Sequence, residues 1–169
     1  MRPVVLFSVL CFAAVASAAS AANAGVSVGA DVNVGVAFSP IRFGTGYGAR
    51  VGYDLEVGPI GLTPEIGASC YGLDDEDRAA RLLAGGRLHL RGLIQPAAYW
   101  HYGYTWIVGQ SRGGPTVDMG GALDLSLAIF RVGAHAGIVS VQSTTHEGPY
   151  AIVQPIEWFE LGLHGGLSF

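Results

Sequence analysis

From Val26 to the last residue, apolar side chains keep returning at every second position. Successive side chains of a β-strand point to opposite faces, so this period builds a sheet with one apolar and one polar face. The stretch 26–38 is the plainest case. Val26, Val28, Ala30, Val32, Val34, Val36 and Phe38 alternate with Ser27, Gly29, Asp31, Asn33, Gly35 and Ala37. At the far end, Phe159, Leu161, Leu163, Leu167 and Phe169 oppose Glu160, Gly162, His164, Gly166 and Ser168.

The same reading predicts strands over 26–38, 46–57, 60–71, 81–93, 97–108, 116–128, 130–141 and 157–169. Pro64 falls inside the third. It cannot donate a ladder hydrogen bond, which predicts a bulge or a local break. Long connections are expected at 39–45, 73–80, 110–115 and 142–155, the last being the longest. Tight turns are expected at Gly58-Pro59, at Ile94-Gln95-Pro96 and near Ala128-Ile129, where no Gly, Pro, Asn or Asp marks the turn. The end of the seventh strand departs from the pattern, with Val139 and Val141 on the polar parity.

An even strand count, alternately long and short connections and a terminal Phe on the apolar face resemble the small eight-stranded outer-membrane barrels of the OmpA/OmpX type. The resemblance covers 25–169 as a pattern. It implies an all-β fold, an eight-stranded antiparallel up-and-down transmembrane barrel, in the outer membrane of a Gram-negative bacterium. It also implies a monomer in contact with outer-membrane lipid and lipopolysaccharide, assembled by the outer-membrane insertion machinery.

The N-terminus fits export. Arg2 supplies a positive start, 4–15 an apolar core, and Ala16-Ser17-Ala18 and Ala22-Asn23-Ala24 two small-x-small sites. The expected signal peptide is 1–24, cleaved after Ala24, with 25–169 as the barrel domain. Cys11 would leave with it, so Cys70 has no partner for an intramolecular disulfide. Composition agrees with a lipid-facing surface. Only 13% of residues are charged, and all nine basic residues are Arg. A soluble surface is usually roughly a quarter or more charged. The expected mature chain keeps eight Arg against thirteen acids, with no basic patch for nucleic acid.

Alternation alone does not say which face looks outward, and a secreted lipocalin-like barrel would turn its apolar face inward. Here the polar face is rich in Gly, Ala and Ser, which suits a cramped interior. With the apolar face on lipid, the polar face becomes a lumen holding Asp31, Arg50, Asp54, Glu56, Glu65, Arg81, Arg87, His89, Arg91, His101, Asp118, Asp124, Arg131, His135, Glu160 and His164. Seven acids against five Arg is near balance, which predicts salt-bridged packing and no wide pore, because unpaired buried charge is costly. An outward aromatic girdle at the membrane interfaces is expected from Phe38, Tyr47, Trp100, Trp106, Phe130 and Phe169.

No residues point to catalysis, a cofactor or a metal. The lumen histidines lack metal-motif spacing and read better as hydrogen-bonded lumen residues. Lipid A deacylases of this architecture present catalytic His and Ser to the membrane, whereas no strand His here is on the apolar parity. Ser143-Thr144-Thr145-His146-Glu147 holds the right residue types, but adjacency in a loop is not triad geometry. Asp74-Asp75-Glu76-Asp77 lacks calcium-loop spacing and reads as a solvated loop. Gly44-Thr45-Gly46-Tyr47-Gly48 precedes no helix, so it relieves crowding rather than cradling phosphate. The leading reading is a scaffold or a loop-mediated surface role. A narrow channel, a lipid-modifying enzyme and a lipocalin-like binding barrel are the alternatives.

Overall fold

The computed structural model describes residues 23–38, 41–73, 78–108, 112–147 and 150–169. Residues 1–22 of the expected signal segment 1–24, and the acidic run 74–77, lie outside them, while Asn23 and Ala24 belong to the first strand. Eight strands follow one another: β1 (Asn23–Phe38), β2 (Ile41–Val57), β3 (Ile60–Leu73), β4 (Arg78–Leu90), β5 (Ile94–Val108), β6 (Arg112–Leu127), β7 (Phe130–Glu147) and β8 (Tyr150–Ser168). Each pairs antiparallel with the next, and β8 returns to β1 to close the barrel. The terminal Phe169 seals the seam. Its N–H donates to the Val26 carbonyl and its carbonyl accepts from the Val26 N–H, each at 2.9 Å.

The register defines the cylinder. Paired residues run Ser27, Gly52, Glu65, Gly85, His101, Asp118, Val139, Trp158 and back to β1 at Ala37. One circuit therefore climbs from residue 27 to residue 37, a shear of ten. With ordinary strand spacings this gives a tilt of about 40° and a radius of about 8 Å, an interior that side chains can fill.

Strand boundaries differ from expectation mainly at the end away from the termini, the loop end. Within the loops expected at 39–45, 110–115 and 142–155, the described residues 41–45, 112–115, 142–147 and 150–155 are strand. Beyond Val141, β7 pairs only with β8, so 142–147 and 150–155 rise past β6 as a two-stranded ribbon. The β-branched residues Thr144, Thr145, Ile152 and Val153 favour that extended form over a loop. The strands span 13 to 19 residues. A bilayer needs roughly 9–11.

At the opposite, turn end, β4 stops at Leu90 and β5 begins at Ile94, so the turn is Arg91-Gly92-Leu93 and not 94–96. Gly92 takes φ 152°, which only Gly adopts readily and which places the reversal there. The hairpin at Ala128-Ile129 lies where expected, with Ala128 at φ 55°. Pro64 produces a one-sided break. Its pairing to Gly86 is continuous, while on the β2 side the ladder skips from Gly52↔Glu65 to Leu55↔Leu62. The register is unchanged across the gap, so there is no bulge.

Polarity is inverted relative to a water-soluble barrel. Val28 is 49% exposed, Leu88 46%, Leu125 36% and Leu163 63%, while Arg87 and Asp124 are buried at 5% and 1%. Tyr47, Trp106, Phe130 and Phe169 also face outward, Phe130 and Phe169 at the turn end. The side chain of Phe38 lies outside the described residues. Trp100 corrects the girdle expectation. It sits mid-strand opposite Gly86, and its ring lies over that glycine, 3.2 Å from where a Cβ would be. It therefore fills, on the outer face at mid-strand, the notch that Gly86 leaves. Cys70 faces outward as a free thiol.

The lumen as candidate functional site

Strand parity delivers the predicted polar side chains to one enclosed space, and the shear decides which of them meet. One chain of contacts runs along the lumen. Arg87 Nη1 lies 2.5 Å from Asp124 Oδ2, and Asp124 Oδ1 is 2.6 Å from His164 Nε2. The Nδ1 atoms of His164 and His135 are 3.1 Å apart. His135 Nε2 is 3.7 Å from Glu160 Oε1, and Glu160 Oε2 is 3.2 Å from Arg81 Nη2. A second chain lies beside it. Asn33 donates to Asp31, whose other oxygen is 3.4 Å from Arg50 Nε. Arg50 Nη1 is 3.7 Å from Glu65 Oε1, which is 2.7 Å from His101 Nε2, and His101 Nδ1 is 3.5 Å from Asp118 Oδ2.

Toward the turn end, Asp54 accepts from Thr63 (2.5 Å), Ser168 (2.7 Å) and Arg131 (3.3 Å). His89 is buried beside them at 2% exposure. Arg91 corrects the lumen expectation. It belongs to the turn, is exposed, and reaches Glu56 at 2.8 Å on the rim.

Toward the loop end, the inward face turns apolar. Val139, Val141 and Trp158 form a buried cluster, with Ala37 and Ile156 against it. Tyr71 joins Trp158 with ring centroids 6.2 Å apart, and the Arg81 guanidinium stacks 4.3 Å from the Tyr71 centroid. The strand-7 valines thus keep their parity; it is the lining that changes character. Trp158 and Tyr71 are interior residues that a polar-face criterion overlooks. Their parity relative to Glu160 and Ser69 is the signal that finds them.

Glycines make room for the largest inward rings. A Cβ at Gly46 would lie 2.7 Å from the Tyr71 ring, and Cβ atoms at Gly120 and Gly137 would overlap the Tyr99 hydroxyl. This is where the Gly-rich start of β2 acts. Between the lumen side chains are spaces of about 60 Å³ against Arg50, Arg87, Arg131 and His164, and about 20 Å³ against Arg81, His101 and Asp118, with Asp31, Arg50 and Glu65 lining both. Spaces of that size admit a few water molecules. Among the described residues no three His, Cys, Asp or Glu side chains converge as metal ligands.

No protein-family model and no curated protein matches the sequence. Solved structures do match. The fold is similar to the Neisserial surface protein A at a TM-score of 0.61 and 12% identity, covering 87% of this chain and 99% of that one. It is similar to the outer-membrane enzyme PagL at 0.58 and 15% identity, covering 80% and 97%. The N-terminal β-barrel domain of Pseudomonas aeruginosa OprF matches at 0.50 and 16% identity, covering 85% and 97%. The chain therefore has the fold of the small eight-stranded outer-membrane barrels, closed and antiparallel throughout.

Proposed function

We propose that the protein is an integral outer-membrane barrel, exported with cleavage of its N-terminal signal, that serves as a membrane-embedded scaffold or acts through its loop-end ribbon. The observation that carries this reading is the inverted polarity. Valines, leucines and aromatic rings cover the outside, while Arg87, Asp124, His135 and Glu160 are each at most 5% exposed within. Hydrocarbon is the solvent that favours such an exterior, and a closed ladder leaves no strand edge unpaired within it. The ion-paired lumen supports a scaffold over a conducting pore. The ribbon of 142–147 with 150–155 offers a surface beyond the bilayer.

Membrane fractionation with heat-modifiable migration in SDS gels tests the placement. A chain recovered as a soluble periplasmic protein would overturn it. Planar-bilayer recording of the purified barrel separates scaffold from channel, with no steady conductance expected. An enzyme reading draws only on the shared fold with PagL. His89, His101, His135 and His164 all point inward, away from lipid. Lipid A mass spectra that change in a deletion strain would favour catalysis.

A further inference from the structure

The outer face is not uniform around the barrel. Ladder pairs between β4 and β5 run Ala80↔Trp106, Leu82↔Tyr104, Ala84↔Tyr102 and Gly86↔Trp100, so β5 presents four aromatic rings along one line. All four are exposed. The strands beside them are low. Ala80 and Ala84 flank Leu82 on β4, and Cys70 and Ala68 lie next to them on β3. Tyr104 leans away from β4, over Gly113, where a Cβ would lie 3.1 Å from its ring. Trp100 leans the other way, over Gly86, and closes the lower end. An open trough remains over β3 and β4 with β5 as its wall, its concavity lined by Ile66, Leu82, Ala84, Tyr102 and Tyr104.

Arg78 stands at the top of this trough. It is the first residue of β4 and pairs with Val108, the last of β5. It is exposed and shares the outward parity of Leu82 and Ala84. Trp106 is its diagonal neighbour across the strand pair. Among the residues with described side chains, Arg78 is the one outward-facing arginine at the loop end. Arg78 and Ala84 are six positions apart, about 20 Å of strand and, at a tilt of about 40°, about 15 Å of depth. A hydrocarbon core is about 30 Å thick, so the trough spans about one leaflet.

We propose that this face holds one phosphorylated glycolipid of the outer leaflet, with a phosphate against Arg78, a sugar beside Trp106 and an acyl chain along the trough. The inference rests on the outer-membrane reading above, which puts that leaflet at the loop end. A guanidinium meets phosphate oxygens through two parallel N–H bonds and keeps its charge at any physiological pH. A phosphate monoester carries about −1.5 to −2 charges at neutral pH, more than the diester of a phospholipid, so Arg78 favours the former. An indole at the membrane interface offers an apolar face while its N–H stays at the wet level. Alanines in the floor leave room for methylene groups, which gain dispersion contact with the Tyr102 and Tyr104 rings.

The opposite side of the barrel has the reverse character. On β1 and β8 the pairs Val32↔Leu163 and Val34↔Leu161 cover the outer face with branched side chains, all exposed. Above them on β8 the exposed residue of outward parity is an acid, Glu157. β8 is four strands from β4 in a ring of eight, so an anionic headgroup meets a cation on one side and a carboxylate on the other. At the turn end, Arg91 is engaged by Glu56 at 2.8 Å.

Native mass spectrometry of the full barrel in detergent reads the binding, with EDTA present so that no metal bridges the acidic run 74–77 to a phosphate. The probes are bisphosphorylated lipid A, the same lipid without its phosphates, and phosphatidylglycerol. One lipid A should be retained at about fivefold lower concentration than either of the others. Arg78→Gln should abolish that preference, and Arg91→Gln should keep it. Ala84→Phe, which fills the trough from its lipid-facing side, should weaken lipid A retention with Arg78 intact. Equal retention of the three probes overturns the proposal, as does an Arg78→Gln barrel that keeps the preference. Tighter binding of phosphatidylglycerol would make a phospholipid the occupant and overturn it too. The three-probe comparison needs no variant, so it decides even if Arg78→Gln does not fold. A barrel that fractionates with the outer membrane yet shows no preference sinks this site and leaves the placement standing.

Discussion

Near the turn end of the lumen, Asp54 gathers Thr63, Ser168 and Arg131, and Asp124 gathers Arg87 and His164. Near the loop end, Val139, Val141 and Trp158 fill the same cylinder with hydrocarbon. The shear and strand number give both regions one radius, so geometry requires only that the space be filled. Charges meet that demand only when every one finds a partner, whereas apolar groups need no partner. The Arg81–Glu160 pair lies where the two regimes meet. Its side chains are 3% and 2% exposed, with Trp158 and Tyr71 stacked over the guanidinium. The apolar segment thus screens the ionic one from water at the loop end.

That contrast makes Arg81 the most sensitive position. Arg81→Met leaves Glu160 buried without its guanidinium partner and should cost about 3–5 kcal/mol. Urea unfolding from lipid vesicles, followed by tryptophan fluorescence, measures it. Adding Glu160→Leu should restore most of the loss, because an apolar pair of similar volume needs no desolvation. A double variant as unstable as the single one would show that the boundary is held by shape and not by charge.

Trp158→Ala attacks the apolar side of the same boundary. Removing a large buried ring should cost about 3 kcal/mol. Bilayer conductance should stay at baseline, since the ion-paired region remains filled. Conductance appearing in this variant would mean that the apolar segment alone seals the barrel.

Two glycines on β8 separate inside from outside at smaller magnitude. A Cβ at Gly162 would overlap Asn33 and His135, whereas one at Gly165 meets only ordinary contacts near 3.8 Å. Gly162→Ala should therefore destabilise by about 1–3 kcal/mol and shift the His135–His164 resonances. Gly165→Ala should stay within about 0.5 kcal/mol and leave them in place. Equal effects from the two would contradict the assignment of faces.

Much of this was readable from residue order alone. Parity put Val28 and Leu163 on one face and Arg87 and Asp124 on the other, and the Gly-, Ala- and Ser-rich make-up of the polar face marked it as the interior. Partner choice was not readable. Asp124 meets His164 and Arg87, 40 and 37 residues away, only through the shear, which depends on small register offsets at every strand pair. The boundary between ionic and apolar lining was also hidden. Val139 and Val141 looked like a lapse of the pattern, yet they obey it and change only what faces inward. Likewise, Thr144, Thr145 and the residues opposite looked like a loop because turn-forming Gly148 and Pro149 lie among them. Their β-branched character instead extends the ribbon.

The two-residue turns extend the comparison to the rim. Val57↔Ile60 and Leu127↔Phe130 close equivalent hairpins, through Gly58-Pro59 and Ala128-Ile129. In each, the first turn residue has positive φ, 60° at Gly58 and 55° at Ala128. Glycine adopts that conformation freely, while a Cβ there crowds the backbone. Ala128→Gly should therefore relieve strain in the folded state, offset in part by the greater freedom of glycine in the unfolded chain. The expected net gain is at most about 1 kcal/mol, visible as a small rise in the urea midpoint at unchanged slope. Gly58→Ala should shift the midpoint the other way. A loss on Ala128→Gly would mean that the Ala128 methyl contributes packing at the rim that outweighs its strained backbone.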